Sequence, residues 1–294
     1  MTLSNNFRQQ VNNLPINLTH LTFGYKFNQT VDKLPKNLTH LTFGVCFNQS
    51  VDNLPKKLTH LIFDENFSSF DYPVDNLPET LTHLTFGCIF NKSVDNLPIN
   101  LTHLTFGGTY FNNSVDNLPK NLTHLKFSFY FNKSVNNLPK NLTHLTFGEK
   151  FNQPIDKLPK YLTHLTFGGD FNQPIDNLPN TITHLSFGKN FNQPIDNLPI
   201  ITFLGLNSLT NFNIPKNVKE LELTNNNILL NNLPEHIEKV YIYFYKDITK
   251  NKIVDNLPLT LKEIVIYNDE YVKYIKKPFE TILTIDYKDN FFDL

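Results

Sequence analysis

A Leu-Pro pair that returns at a nearly constant interval restricts this chain more than any other feature. Its leucines are Leu14, Leu34, Leu54, Leu77, Leu97, Leu118, Leu138, Leu158, Leu178 and Leu198, spaced by 20 residues except for one gap of 23 and one of 21. Looser units carry Ile214-Pro215, Leu233-Pro234 and Leu257-Pro258. A unit this short cannot bury its own apolar face, so the copies must stack into a solenoid with a shared core. The stretch Phe151-Asn152-Gln153-Pro154-Ile155-Asp156-Lys157-Leu158-Pro159 holds two prolines, which remove amide donors and clash with a preceding helical turn. The return path is therefore expected as extended and turn segments with short 3-10 turns and little or no α-helix. In such a turn Asn152 and its equivalents are expected to point inward and bond the backbone of their own and the adjacent coil.

The other half of each unit alternates. In Leu38-Thr39-His40-Leu41-Thr42-Phe43 the apolar positions follow L-x-x-L-x-F, the pattern of a leucine-rich repeat, and Leu41 and Phe43 read as the buried face of a short strand. Counting strands around His20, His40, His60, His83, His103, His124, His144, His164 and His184, then Leu204, Leu221, Val240, Ile264 and Leu283, predicts one parallel sheet of about 14 strands. The expected organisation is a single repeat domain over 1–294. Residues 1–13 form a partial repeat or cap, 14–200 the regular repeats, and 201–294 divergent repeats and a C-terminal cap closed by Phe279, Phe291 and Phe292.

The segment Phe-Asn-Gln-Pro-Ile-Asp-Asn-Leu-Pro, at 171 to 179 and again at 191 to 199, resembles the FNIP repeat, a leucine-rich-repeat subclass found in social amoebae and giant DNA viruses of protists. The resemblance is close over residues 7 to 200 and looser beyond. It implies a repeat scaffold of the kind that binds partners. The 20-residue spacing also resembles the short leucine-rich repeats of bacterial effectors.

Composition narrows the partners. The chain is 40% hydrophobic, enough for a continuous core, and its formal net charge of −1 lacks the basic excess that phosphate-backbone binding needs. Nucleic acid is therefore not expected. No run of 18 apolar residues is present and the start MTLSNNFRQQ is polar, so neither a membrane span nor a secretory leader is expected. The expected setting is cytoplasmic, meaning the host cytoplasm or the particle if the protein is viral. Cys46 and Cys88 sit at different offsets of non-adjacent repeats, too far apart in a regular stack for a disulfide.

Nine of the ten histidines occupy one position of the repeat: His20, His40, His60, His83, His103, His124, His144, His164 and His184. Opposite to Leu41 and Phe43, they must form an exposed row beside a row of mostly threonine, interrupted by Ile62, Lys126 and Ser186. A structural ladder, a metal-binding row and a pH-sensing row are the three readings. A flat row offers no convergent tetrahedral donor set, so no metal or other cofactor is expected. Like charges about 5 Å apart resist joint protonation, so a sensing row should charge only below neutral pH and then loosen the array or shed a partner. Asp32, Asp52, Asp75, Asp95, Asp116, Asp156, Asp176 and Asp196 repeat just as evenly and are expected to bond turn amides. Neither row places unlike groups together as acid–base or nucleophilic chemistry requires, and no catalytic motif appears. The chain is not expected to be an enzyme.

Specificity then has to come from what differs between copies. The residues after each strand vary most and lie along one rim, and Ser68 to Pro73 is expected to bulge as an insertion on the outer side. On the later strands the exposed positions become Glu220, Glu222, Lys239, Tyr241, Tyr243 and Tyr267. Tyrosines flanked by charge suit a protein partner. The expected function is a scaffold for protein–protein interaction through the strand face, the rim or this tyrosine patch. The alternative is a structural, self-associating component of a larger assembly such as a virus particle.

Overall fold

The alternation of Leu and Phe with polar residues folds as parallel strands. Leu41 and Phe43 are buried to 1% and 0% exposure, while His40 and Thr42 stand half-buried on the opposite face. A computed structural model describes residues 1–207, 213–224, 233–242, 257–267 and 281–285. The chain divides into two compact units, Met1–Leu162 and Thr163–Leu294.

The first unit holds β1 (His20–Thr22), β2 (His40–Phe43), β3 (His60–Phe63), β4 (His83–Phe86), β5 (His103–Phe106), β6 (His124–Lys126) and β7 (His144–Thr146). They pair in parallel and in chain order, with like opposite like: His20 faces His40, Leu21 faces Leu41, Thr22 faces Thr42. At the N-terminal end Thr2 bridges to Thr22 in parallel, and Phe7 stacks 6.1 Å from Phe27. The second unit holds β8 (His164–Thr166), β9 (His184–Ser186), β10 (Phe203–Leu206), β11 (Glu220–Leu223), β12 (Lys239–Ile242), β13 (Glu263–Ile266) and β14 (Ile282–Ile285), again parallel and consecutive. These are the fourteen strands read from the sequence, and among the described residues no helix forms.

The core is built from two columns of phenylalanine. Within a repeat the two rings lie close, 3.7 Å between the centroids of Phe43 and Phe47, and each stacks on its equivalent in the next repeat at 5.4 to 6.2 Å. Leu, Val and Ile fill the remainder. Single turns close the return segments, such as the Leu38 amide donating to the Pro35 carbonyl at 3.1 Å. The repeated asparagines sit at the surface rather than inside. Asn28 Oδ1 accepts the Asn48 amide of the next coil at 2.9 Å, and Asn132 Oδ1 accepts the Asn152 amide at 3.0 Å. They tie neighbouring coils along an edge.

The three extra residues of the third repeat fall elsewhere than expected. Phe70 takes the column place that Phe47 holds one repeat earlier, 3.9 Å from Phe63 and 6.1 Å from Phe47. The ring columns hold Phe70 in register, so the extra length is displaced into the turn Asp64 to Ser69 immediately after β3. The insertion thus enlarges the rim and does not bulge on the outer side. The single extra residue of the fifth repeat is likewise in the rim turn Gly107-Gly108-Thr109-Tyr110 before Phe111.

Candidate functional site

In the first unit the seven imidazoles from His20 to His144 stack face to face, with centroids 4.1 to 4.2 Å apart and planes within 11° to 14°. The strand register sets this pitch. Each ring is held at Nδ1 by the hydroxyl of the preceding threonine at 2.9 Å, as in Thr39–His40 and Thr102–His103. The same hydroxyl lies 3.0 to 3.1 Å from the threonine carbonyl of the previous repeat. In the second unit His164 and His184 stack at 4.1 Å, and Phe203 continues from His184 at 5.6 Å.

Burial between the strands pushes His40, His60, His83, His103 and His124 below the ordinary imidazole value, and the neighbouring histidines lower them further. Two unit charges about 4 Å apart repel by roughly 1 kcal/mol even at the dielectric of water. Parallel rings aim their outer nitrogens along parallel lines, so adjacent lone pairs do not converge on one ion as zinc requires. Among the described residues no group of three or more His, Cys, Asp or Glu could hold a metal. The Thr–His contact is that of a nucleophile and a base, yet the hydroxyl also leans on a backbone carbonyl, and for His40, His60, His83, His103 and His124 no carboxylate among the described residues orients the ring. Asp32, Asp52, Asp75, Asp95 and Asp116 bond neighbouring side chains rather than turn amides: Asn53 Nδ2 donates to Asp32 Oδ1 at 2.9 Å, and Ser50 Oγ to Asp52 Oδ2 at 2.7 Å.

The tyrosine patch of the second unit is partly assembled. Tyr241 donates its hydroxyl to Glu220 Oε2 at 2.9 Å, and Lys239 pairs with Glu263 at 2.9 Å while its ammonium stands 4.8 Å from the Tyr241 ring centre. The bond to Glu263 raises the Lys239 ammonium, the bond to Lys239 lowers the Glu263 carboxyl, and burial raises the Tyr241 phenol. Glu222, expected on the open face, is 4% exposed and accepts from Ser186 Oγ at 3.2 Å, so it is not a surface contact. Tyr267 is half-buried just past β13. Tyr243, Phe279, Phe291 and Phe292 lie outside the described residues. Glu220, Lys239 and Tyr241 spend their polar groups on one another and on Glu263.

A second feature escaped the sequence reading. From the enlarged turn after β3, the Glu65 carboxylate reaches Lys126 Nζ on β6 at 3.0 Å, three repeats away. On its way Glu65 lies against Gly107 and Gly108: a Cβ on Gly107 would stand 2.4 Å from Glu65 Cγ, and one on Gly108 2.9 Å from the Glu65 carbonyl oxygen. Gly108 has φ of +56°, which glycine adopts freely. Three departures from the repeat therefore meet in one strap: the 23-residue unit, the 21-residue unit and the lysine in the threonine row. Their coincidence within four repeats was the available signal. The pair is about a quarter to a third exposed (26% and 31%), and pairs of that kind contribute roughly 0.2–1 kcal/mol. A Glu65→Ala, Lys126→Ala double-mutant cycle in urea should return coupling of that size, and zero coupling would reduce the strap to its backbone contacts.

Beside the strap the rim carries exposed aromatics. Phe67 is 72% exposed, Tyr110 54%, Tyr130 45% and Phe129 38%. Tyr110 and Tyr130 stack at 6.0 Å, Phe129 meets Tyr130 edge-on at 5.0 Å, and Lys150 stands 6.0 Å from the Phe129 ring centre.

Among the described residues no helix is long and apolar enough to cross a membrane. Among solved structures the chain is similar to CroV588, a circular leucine-rich-repeat protein of a giant virus, at 32% identity over 97% of this chain and 55% of that one, TM-score 0.56. It is also similar to YopM of Yersinia enterocolitica WA-314, at 18% identity over 94% of this chain and 61% of that one, TM-score 0.50. The chain thus spans little more than half the length of the first and less than two thirds of the second. No curated protein matches it. The pattern of the FNIP Repeat family matches residues 10–46, 30–66, 47–89, 90–130, 111–150, 131–170, 151–177 and 171–204. Matched over so much of its length, with the leucine-rich-repeat fold in both units, the chain belongs to the FNIP repeat family.

Proposed function

We propose that this protein is a non-enzymatic scaffold that binds another protein through the rim of its first unit, around Phe67, Tyr110, Phe129 and Tyr130. The exposure of these aromatic side chains beside the stretch where the repeat is broken carries the reading. Aromatic anchors on a rigid support dominate protein interfaces because they bury large area at little cost in side-chain entropy. Stacked repeats supply that rigidity and an extended surface. The tyrosine patch of the second unit is a weaker candidate, since its polar groups are already bonded to one another. The likeness to CroV588 favours a giant-virus setting, with the partner drawn from the protist host or the particle.

Affinity capture from host lysate should retain a protein on the wild type that a Tyr110→Ser, Phe129→Ser, Tyr130→Ser variant loses. Circular dichroism must first show both folded. Equal capture by both would move the site away from the rim, and a Tyr241→Phe, Lys239→Ala variant would then test the second unit. Light scattering across concentrations separates the structural alternative, in which mass grows with concentration and nothing is captured.

A further inference from the structure

The stacked histidines of the first unit are left unused by a rim contact. Every ring is oriented alike, with Nδ1 inward on threonine. For His40, His60, His83, His103 and His124 no second partner exists among the described residues, so Nε2 points away from the sheet with its bonding capacity unspent. The threonine hydroxyl can give its proton to Nδ1, or turn it toward the carbonyl 3.0 to 3.1 Å away and accept from Nδ1–H instead. An added proton therefore breaks no internal hydrogen bond, and each charged ring presents an Nε2–H donor outward.

The surroundings decide what such a charge would attract. On the outward positions of β1 to β7 the row is accompanied by Thr22, Thr42, Ile62, Thr85, Thr105, Lys126 and Thr146. Among the described residues, the charged groups that contacts place at these strands include the Lys126 ammonium, the Glu65 carboxylate already bonded to it, and the terminal ammonium of Met1, which donates to the His20 carbonyl at 2.9 Å. No unpaired carboxylate stands among these to neutralise a protonated ring. Rings this closely stacked resist joint charging, and a bound anionic group relieves their repulsion.

We propose that on acidification this row becomes a linear docking site for an acidic peptide segment, whose carboxylates pair with the outward Nε2–H groups and bring protons onto the row as they bind. Aspartate suits it because its carboxyl, with an ordinary value of about 3.9, stays ionised where imidazoles begin to charge. The site is separate from the rim and does not depend on it.

The test uses a fluorescein-labelled oligo-aspartate peptide and the full chain, followed by anisotropy at about pH 8 and about pH 5.5, on either side of the ordinary imidazole value. Binding should tighten on the order of tenfold or more at the lower pH, as charge-assisted hydrogen bonds replace neutral ones. A His60→Gln, His83→Gln, His103→Gln variant should lose most of that gain, while the rim variant should bind as the wild type does. Calorimetry of the wild type in two buffers of different ionisation enthalpy should show net proton uptake on binding near pH 6. Equal affinity at both pH values, binding without proton uptake, or loss of the sheet's circular dichroism at the lower pH would each overturn the proposal.

Discussion

Phe106→Ala should destabilise the first unit by about 3–5 kcal/mol, measured by urea denaturation and appearing mainly as a lower midpoint. Phe106 is 1% exposed and sits where the two ring columns meet, 3.7 Å from Phe111, 5.7 Å from Phe86 and 5.9 Å from Phe127. Truncation removes the transfer energy of the ring and leaves a cavity that the parallel columns cannot close, because each neighbouring ring is held in place by the stack of its own column. Stacked repeats are stabilised by contacts with adjacent copies alone, so a defect in the fifth strand weakens both of its interfaces at once. A loss below about 1 kcal/mol would show that the columns repack, contrary to this account. Phe106→Leu, which keeps most of the volume, should cost markedly less.

The melting temperature should fall as pH drops from about 8 to about 5, with the decline beginning near the ordinary imidazole value. His40, His60, His83, His103 and His124 are all lowered in the fold, first by burial and then by one another. Below 6.5, the ordinary value of these groups, the unfolded chain therefore binds more protons than the folded one. Stability is then fully present above 6.5 and is lost as pH falls through the lowered values of the folded row. Five groups acting in the same direction make this the largest pH effect expected of the molecule near neutrality. The His60→Gln, His83→Gln, His103→Gln variant should show a flatter profile, and an acidic peptide paired with the charged row should recover part of the wild-type loss. An unchanged melting temperature across the range would remove the row as a pH-responsive element.

The strand positions were legible because each depends on local alternation. Leu21, Leu41 and Leu84 each stand between a histidine and a threonine, and even the divergent Leu221, Val240 and Ile264 fell on strands. The family was legible for the same reason, since a motif copied many times carries its own confirmation. The insertion was misplaced because Phe67 and Phe70 look alike in a string. Only the neighbouring ring columns decide that Phe70 is the buried one and Phe67 the exposed one. The outward placement of Glu222 failed because alternation tells which face a residue is on and not what else covers that face. The Glu65–Lys126 pair lies 61 residues apart and follows no period, so periodic reasoning could not find it.

The strap also bears on how an array of near-identical copies finds its order. Leucine meets leucine and histidine meets histidine in any pairing of these strands, so skipping one repeat and looping it out would preserve almost every like-with-like contact. Such a misregistered stack would be a near-degenerate trap of the kind that afflicts repetitive chains. The long turn after β3, the glycine pair after β5 and the lysine on β6 fit together only if two strands intervene between the first and the last. Omitting β4 or β5 would leave Glu65 against the wrong turn and Lys126 out of reach. A few residues that break the repeat thereby discriminate against arrangements in which the repeats between β3 and β6 are miscounted.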